Sequence, residues 1–282
     1  MIAQLLTPGP LQTVALGTAL LGALAGALGT FATLRRQSLM GDVLSHAALP
    51  GICLGYLAAG ERSMPWLLGG ALLAGLLAAG TVEVVLRLTR IKPDAAMGVV
   101  LSVWFALGTV LLSRIQHHGG AGPAGLSTFL FGQAAAMLHS DLMLIAGAAA
   151  LAALVLLVLW KDLKLVTFDR DYARALGRPV TLAEGALAAL TATAIVLGLQ
   201  VVGVVLMVAL LVAPAIAARQ WVNGLFAMCV LSAGFGAAAG VGGALISAQA
   251  RGLATGPVIA LLAAAMAGFS LLLGTHRTRA AP

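Results

Sequence analysis

The stretch Ser38-Leu-Met-Gly-Asp42-Val-Leu-Ser-His46-Ala-Ala-Leu-Pro50-Gly51 is an apolar run interrupted by an acid and a histidine four residues apart. On an α-helix that spacing sets both side chains on one face. Whether the pair sits in water or in lipid decides its meaning, and composition answers. The 282 residues are 61% hydrophobic and 9% charged, whereas a soluble domain is roughly one-quarter charged. So little charge cannot clothe a water-facing surface. The chain therefore reads as an all-α polytopic membrane protein, one transmembrane domain over residues 1–282. In that solvent an ionisable pair is costly and tends to mark an ion or proton path. A carboxylate oxygen with an imidazole nitrogen makes half of a transition-metal site. The plainer alternative is a buried Asp–His hydrogen bond that fixes packing.

Apolar segments long enough to cross a bilayer lie near 10–33, 39–59, 64–86, 95–113, 140–160, 182–199, 201–218, 222–247 and 256–274. That is about nine transmembrane helices, within a range of eight to ten. The stretch 182–218 is too long for one straight span, and Gly198, Gly203 and Pro214 are its candidate breaks. It is expected to form two short helices or a helix with a re-entrant piece. Pro50-Gly51 is expected to break the second helix beside Asp42 and His46, with Ser38 and Ser45 adding small polar groups there.

With the N-terminus outside, alternation puts 13 of the 16 Lys and Arg residues on the inner side. Only Arg62, Arg114 and Arg251 fall outside. That bias supports an outer N-terminus and a cytoplasmic C-terminus. The net charge of +7 is thus a topology signal and does not point to nucleic acid. The first charged residue is Arg35, so the opening segment lacks the basic start of a cleavable signal and is expected to remain a helix. Cys53 and Cys229, far apart in apolar segments, read as small buried hydrophobes. Gly22-Ala-Leu-Ala-Gly26 and Gly236-Ala-Ala-Ala-Gly240 have the spacing that lets helices approach closely.

Among the remaining polar residues, Glu83 and Glu184 fall near inner helix ends, where water or a basic loop residue is the expected partner. Met207 offers a thioether but is expected to serve packing. The inner loop 161–179 is the longest charged stretch. Asp169 or Asp171 can cap a short helix through Leu176, and Gly177 with Pro179 would stop it. Such a helix suits docking to a cytoplasmic partner and equally suits lying on the lipid surface. The outer loop from Arg114 to Ser140 holds His117-His118, either a transient metal contact or plain solvated loop. It also holds Gly125-Leu-Ser-Thr-Phe-Leu-Phe-Gly132-Gln133-Ala-Ala-Ala, too short to span and expected to be re-entrant or interfacial.

No Gly-x-x-x-x-Gly-Lys-Ser/Thr loop is present, so the chain carries no phosphate-binding loop of its own for ATP. No His-Glu-x-x-His is present either, which weighs against an intramembrane metalloenzyme. An ion-driven secondary metal carrier is the other alternative; such carriers often show two similar halves, and no clear internal repeat appears here.

Four stretches in order resemble the permease subunits of bacterial metal-importing ABC transporters of the manganese, zinc and iron class. Ser38–Gly51 looks like that family's Gly-Asp-x-x-Ser-His-x-x-Leu-Pro-Gly signature. Lys92-Pro-Asp94-Ala-Ala-Met-Gly98 through Gly108 is similar to its Asp-x-x-x-Gly helix. Val202-Gly203 through Pro214-Ala-Ile-Ala-Ala218 looks like its Val-Gly…Pro-Ala-x-x-Ala stretch, and Thr255-Gly256-Pro257-Val-Ile opens the last helix as the family does. Val258-Ile-Ala departs mildly from the family's usual residues there. Leu111-Leu-Ser-Arg-Ile-Gln116 and the Gly125 segment look closer to manganese-type members.

The resemblance implies a permease without enzymatic activity or a permanently bound cofactor, in the bacterial cytoplasmic membrane. It would pass Mn²⁺ foremost, with Zn²⁺ or Fe²⁺ as alternatives. Its implied partners are a second permease copy or paired permease, a cytoplasmic ATP-binding subunit and an extracytoplasmic metal-binding receptor. Asp42 and His46 would be the metal-contacting residues. Phe168, Asp169, Asp171, Tyr172, Arg174 and Gly177 would form the ATPase-docking element.

Overall fold

The computed structural model describes residues 9–60, 63–118, 137–249 and 254–274, and every regular element among them is a helix. In chain order these are α1 Pro10–Leu34, α2 Met40–Ala59, α3 Met64–Leu88, α4 Pro93–His118, α5 His139–Val158, α6 Trp160–Phe168, α7 Arg170–Ala175, α8 Val180–Val201, α9 Val204–Arg219, α10 Leu225–Gln249 and α11 Thr255–Leu273. Eight of them are long and apolar enough to cross a membrane. The ninth apolar segment is α9, whose 16 residues reach about 24 Å, short of a bilayer's hydrocarbon core of about 30 Å.

The α8–α9 break falls at Val202–Gly203. Gly203 has φ +89, a conformation that a side chain would resist. The other two candidate breaks are built into helices. Gly198 lies inside α8 and receives the sulfur of the fully buried Met207, which serves packing as expected. Pro214 lies inside α9.

α1 is the central helix: 72% of its apolar window is buried within the chain, against 17% for α5. Glycines make that centre possible. A Cβ at Gly22 would strike the Gly236 carbonyl of α10, one at Gly26 the Ser232 carbonyl, and one at Gly240 the Thr18 carbonyl. The two Gly-x-x-x-Gly segments are thus one seam, α1 against α10. Thr18 donates to the Gly240 carbonyl at 3.1 Å and Ser232 to the Gly26 carbonyl at 2.7 Å across it. Cys53 and Cys229 are both buried and unbridged.

α2 is continuous through Pro50, against the expected break. Pro50 removes one backbone donor, but the helix resumes because both neighbours fit around it. Gly108 of α4 leaves room for the proline ring, since a Cβ there would come within 2.7 Å of Pro50 Cδ. Gly51 and Gly55 let α3 approach through Gly70 and Trp66. The glycine after the proline serves the close packing of α3 on α2.

The ends of the bundle can be matched. Leu211 of α9 packs on Gly29 near the end of α1, and Gly274 after α11 packs on Gln220 just past α9. Helices α1, α9 and α11 therefore finish on the same side, opposite Pro10. The same end carries α6 and α7, which form a bracket. Trp160 anchors it edge-on against Phe31 of α1 at 6.2 Å and Phe226 of α10 at 5.8 Å.

Candidate functional site

From Gly41 to Cys53 every residue of α2 is buried except Asp42 and His46, which are half-exposed. The pair forms the one polar strip on the packed part of that helix. Asp42 sits in the first turn, where a helix N-terminus favours a negative charge. The His46 ring meets Phe105 of α4 edge-on, with centroids 5.0 Å apart. Gly108, one turn further along α4, sits against Pro50. The Asp94–Gly108 segment and the Asp42–Pro50 segment are thus one packed unit. Ser45 does not join the exposed strip: it is fully buried, and Ser38 lies in the turn before α2. Among the described residues no three His, Cys, Asp or Glu side chains gather closely enough to hold a metal ion. Arg114 to His118 lie within α4, and the segment 125–136 falls outside the described residues.

The second candidate site is the bracket. Asp169 caps α7, its carboxylate accepting from the Tyr172 backbone at 2.9 Å. Leu176 ends the helix and Gly177 turns the chain away at φ +70. These are the boundaries expected from the sequence, whereas the preceding part of the charged loop is itself helical, as α6. Leu163, Val166 and Ala173 seat the bracket on the bundle. Phe168, Tyr172 and Leu176 are exposed, as are Asp171 and Arg174, which pair at 3.2 Å. A row of apolar side chains with flanking charges is therefore presented outward.

Between the two sites lies a cluster of charges that was legible only in part. Arg35 at the end of α1 donates to Glu184 of α8 at 2.8 Å, with side-chain exposures of 15% and 12%. Arg170 of α7 donates from one terminal nitrogen to Glu184 at 2.7 Å and to Glu83 of α3 at 2.6 Å. Arg87 donates to Glu83 at 2.8 Å. Both glutamates thus find basic partners, as expected of acids near helix ends. Burial is the strongest influence on Arg35 and pulls its guanidinium below the ordinary value, against the field of Glu184. For Arg170 burial also opposes the charge, but the hydrogen bonds and fields of Glu83 and Glu184 outweigh it and hold the pKa above the ordinary value.

Eight helices long and apolar enough to cross a membrane make this bundle a polytopic membrane protein. Residues 9–274 match the model of the ABC 3 transport family, and the chain belongs to that family as a multi-pass protein of the bacterial cytoplasmic membrane. The zinc transport system membrane protein TroC of Treponema pallidum is 48% identical over 267 residues, covering 95% of this chain and 90% of that protein. The manganese transport system membrane protein MntC of Bacillus subtilis is 46% identical over 270 residues, covering 96% of this chain; the chain spans 62% of that protein's length. The solved structure of PsaBC from Streptococcus pneumoniae in complex with Fab superposes with a TM-score of 0.83 at 34% identity, over 99% of this chain and 98% of that one.

Proposed function

We propose that the chain is the membrane-spanning subunit of an ATP-binding-cassette importer that carries a divalent transition metal into the cytoplasm. Manganese is the foremost cargo, with zinc and iron as alternatives. The observation that carries the reading is the isolation of Asp42 and His46 as the only residues of α2 between Gly41 and Cys53 left unburied. A carboxylate oxygen and an imidazole nitrogen, with no thiolate, suit Mn²⁺ or Zn²⁺ held loosely enough to be released. One chain offers two such ligands. A second copy related by a two-fold axis would bring a second Asp42/His46 pair to the same path, giving four.

Energy comes from outside the chain. A cytoplasmic ATP-binding subunit docks on α7 through Phe168, Tyr172 and Leu176, with Asp171 and Arg174 at the rim and Asp169 and Gly177 shaping the helix. A receptor on the outer side delivers the metal. In this reading the bracket end of the bundle faces the cytoplasm; the gathering of Arg35, Arg87 and Arg170 there supports it through the positive-inside bias. The likeness to a manganese and a zinc transport membrane protein at nearly equal identity supports the metal class and leaves the choice of metal to the ligands and the receptor.

The test is reconstitution of the chain with its ATPase and receptor in vesicles, offering Mn²⁺, Zn²⁺ and Fe²⁺ separately. ATP-dependent accumulation of Mn²⁺ is expected. Accumulation by the chain alone under an ion gradient would support the carrier alternative instead.

A further inference from the structure

Arg170 is the first residue of α7, and Arg35 is the residue on which α1 ends, seven positions before Asp42. Glu184 joins them, accepting from Arg170 at 2.7 Å and from Arg35 at 2.8 Å. We propose that Arg170, Glu184 and Arg35 form an ionic linkage that carries displacement of the docking helix to the α1–α2 turn and so to the Asp42/His46 strip. The proposal rests on the reading of α7 as the ATPase contact, and it makes these three residues positioning residues for transport.

Stiffness is the first support. The bonds are short, charge-assisted and partly buried, so stretching them costs more than stretching an exposed pair. The other two ion pairs of the bracket, Arg174–Asp171 at 3.2 Å and Arg178–Asp162 at 3.4 Å, are longer and involve exposed arginines. One terminal nitrogen of Arg170 bonds carboxylates on both α3 and α8, so it cannot move without pulling on two helices. Its Nε is buried without a hydrogen-bond partner, so those two contacts carry the guanidinium's anchorage.

The receiving end is compliant. Arg36, next to Arg35, has φ +56 and is the only non-glycine residue with positive φ among the described residues. A side chain resists that conformation, and such positions recur at segments that switch. There is also space for the turn to shift. A cavity of about 260 Å³ opens beside the cluster, bordered by Arg35, Gln37, Met40, Glu83, Arg87 and Glu184. A stiff strut, a strained turn and an adjoining void converge within a few residues of Asp42.

The backbone offers a competing route, since α7 runs into α8 through Pro179. Arg170→Gln separates the two: it cuts the ionic route, keeps the backbone, and leaves the Arg35–Glu184 and Arg87–Glu83 pairs in place. In vesicles with the ATPase and receptor, Mn²⁺ taken up and ATP hydrolysed are measured together. Arg170→Gln is expected to retain the ATPase and its hydrolysis while metal moved per ATP falls about tenfold, within the usual range for coupling between sites. Glu184→Gln should do the same, and Arg178→Gln, outside the linkage, should keep the wild-type ratio. A merely structural role would lower thermal stability and leave the ratio of the assembled complexes unchanged; that result overturns the proposal. If neither linkage variant assembles, spin labels at the exposed Leu39 and Leu261 of the otherwise wild-type chain decide. Their separation is expected to change when nucleotide binds the docked ATPase, and a constant separation overturns the linkage. A wild-type chain that neither retains an ATPase nor takes up metal would instead sink the docking reading itself.

Discussion

Asp42 and His46 stand out because their neighbours are buried, and only half of that was legible in the sequence. The spacing of four fixed the shared face, because helical geometry is local. The edge-on contact of His46 with Phe105 joins residues far apart in the chain, and no local rule reaches it. The same holds for Pro50. Read locally it is a helix breaker; in the fold, Gly108 leaves room for its ring and α2 continues. Gly108→Ala should therefore push α4 off α2 and destabilise the protein by about 1–3 kcal/mol, as overpacking does; thermal unfolding in detergent checks it. Phe105→Ala removes an aromatic contact of about 0.5–1.5 kcal/mol and frees the His46 ring. It should weaken metal uptake without loss of ATPase binding, which uptake and pull-down on the same preparation would separate.

At the scale of the element, α7 was readable almost residue by residue, because caps and stops are local chemistry. Asp169 caps it and Gly177 ends its run, as the sequence indicated. Asp169→Ala should cost the helix about 1 kcal/mol of capping and weaken ATPase retention through disorder of α7. Tyr172→Ala keeps the cap and removes an exposed contact, so retention should fall while the α7 backbone stays protected from hydrogen exchange. Loss of protection in Tyr172→Ala would assign that residue to folding instead of docking. The α8–α9 break was readable only as a choice of three positions. Gly198 receives Met207 and Pro214 stays helical, and both facts depend on packing partners beyond the segment.

At the scale of the molecule, the membrane class and the number of apolar segments followed from composition and length. The pairing of helices did not. Two glycine-spaced segments were visible, but that they pack on each other, α1 on α10, follows only from the fold. The bracket's partner face is testable as topology. Cys53 and Cys229 are buried, so a Tyr172→Cys variant gives a low-background target for a membrane-impermeant thiol reagent. Labelling is expected in inside-out vesicles and not in intact cells; labelling of intact cells would reverse the orientation.

The most direct single measurement is ATP-dependent Mn²⁺ uptake by vesicles holding the paired chains, ATPase and receptor, compared between wild type and the Asp42→Asn and His46→Ala variants. Uptake by wild type is expected, with loss to background in both variants while the ATPase remains bound. Wild-type uptake in either variant would contradict the assignment of the cargo path to that strip.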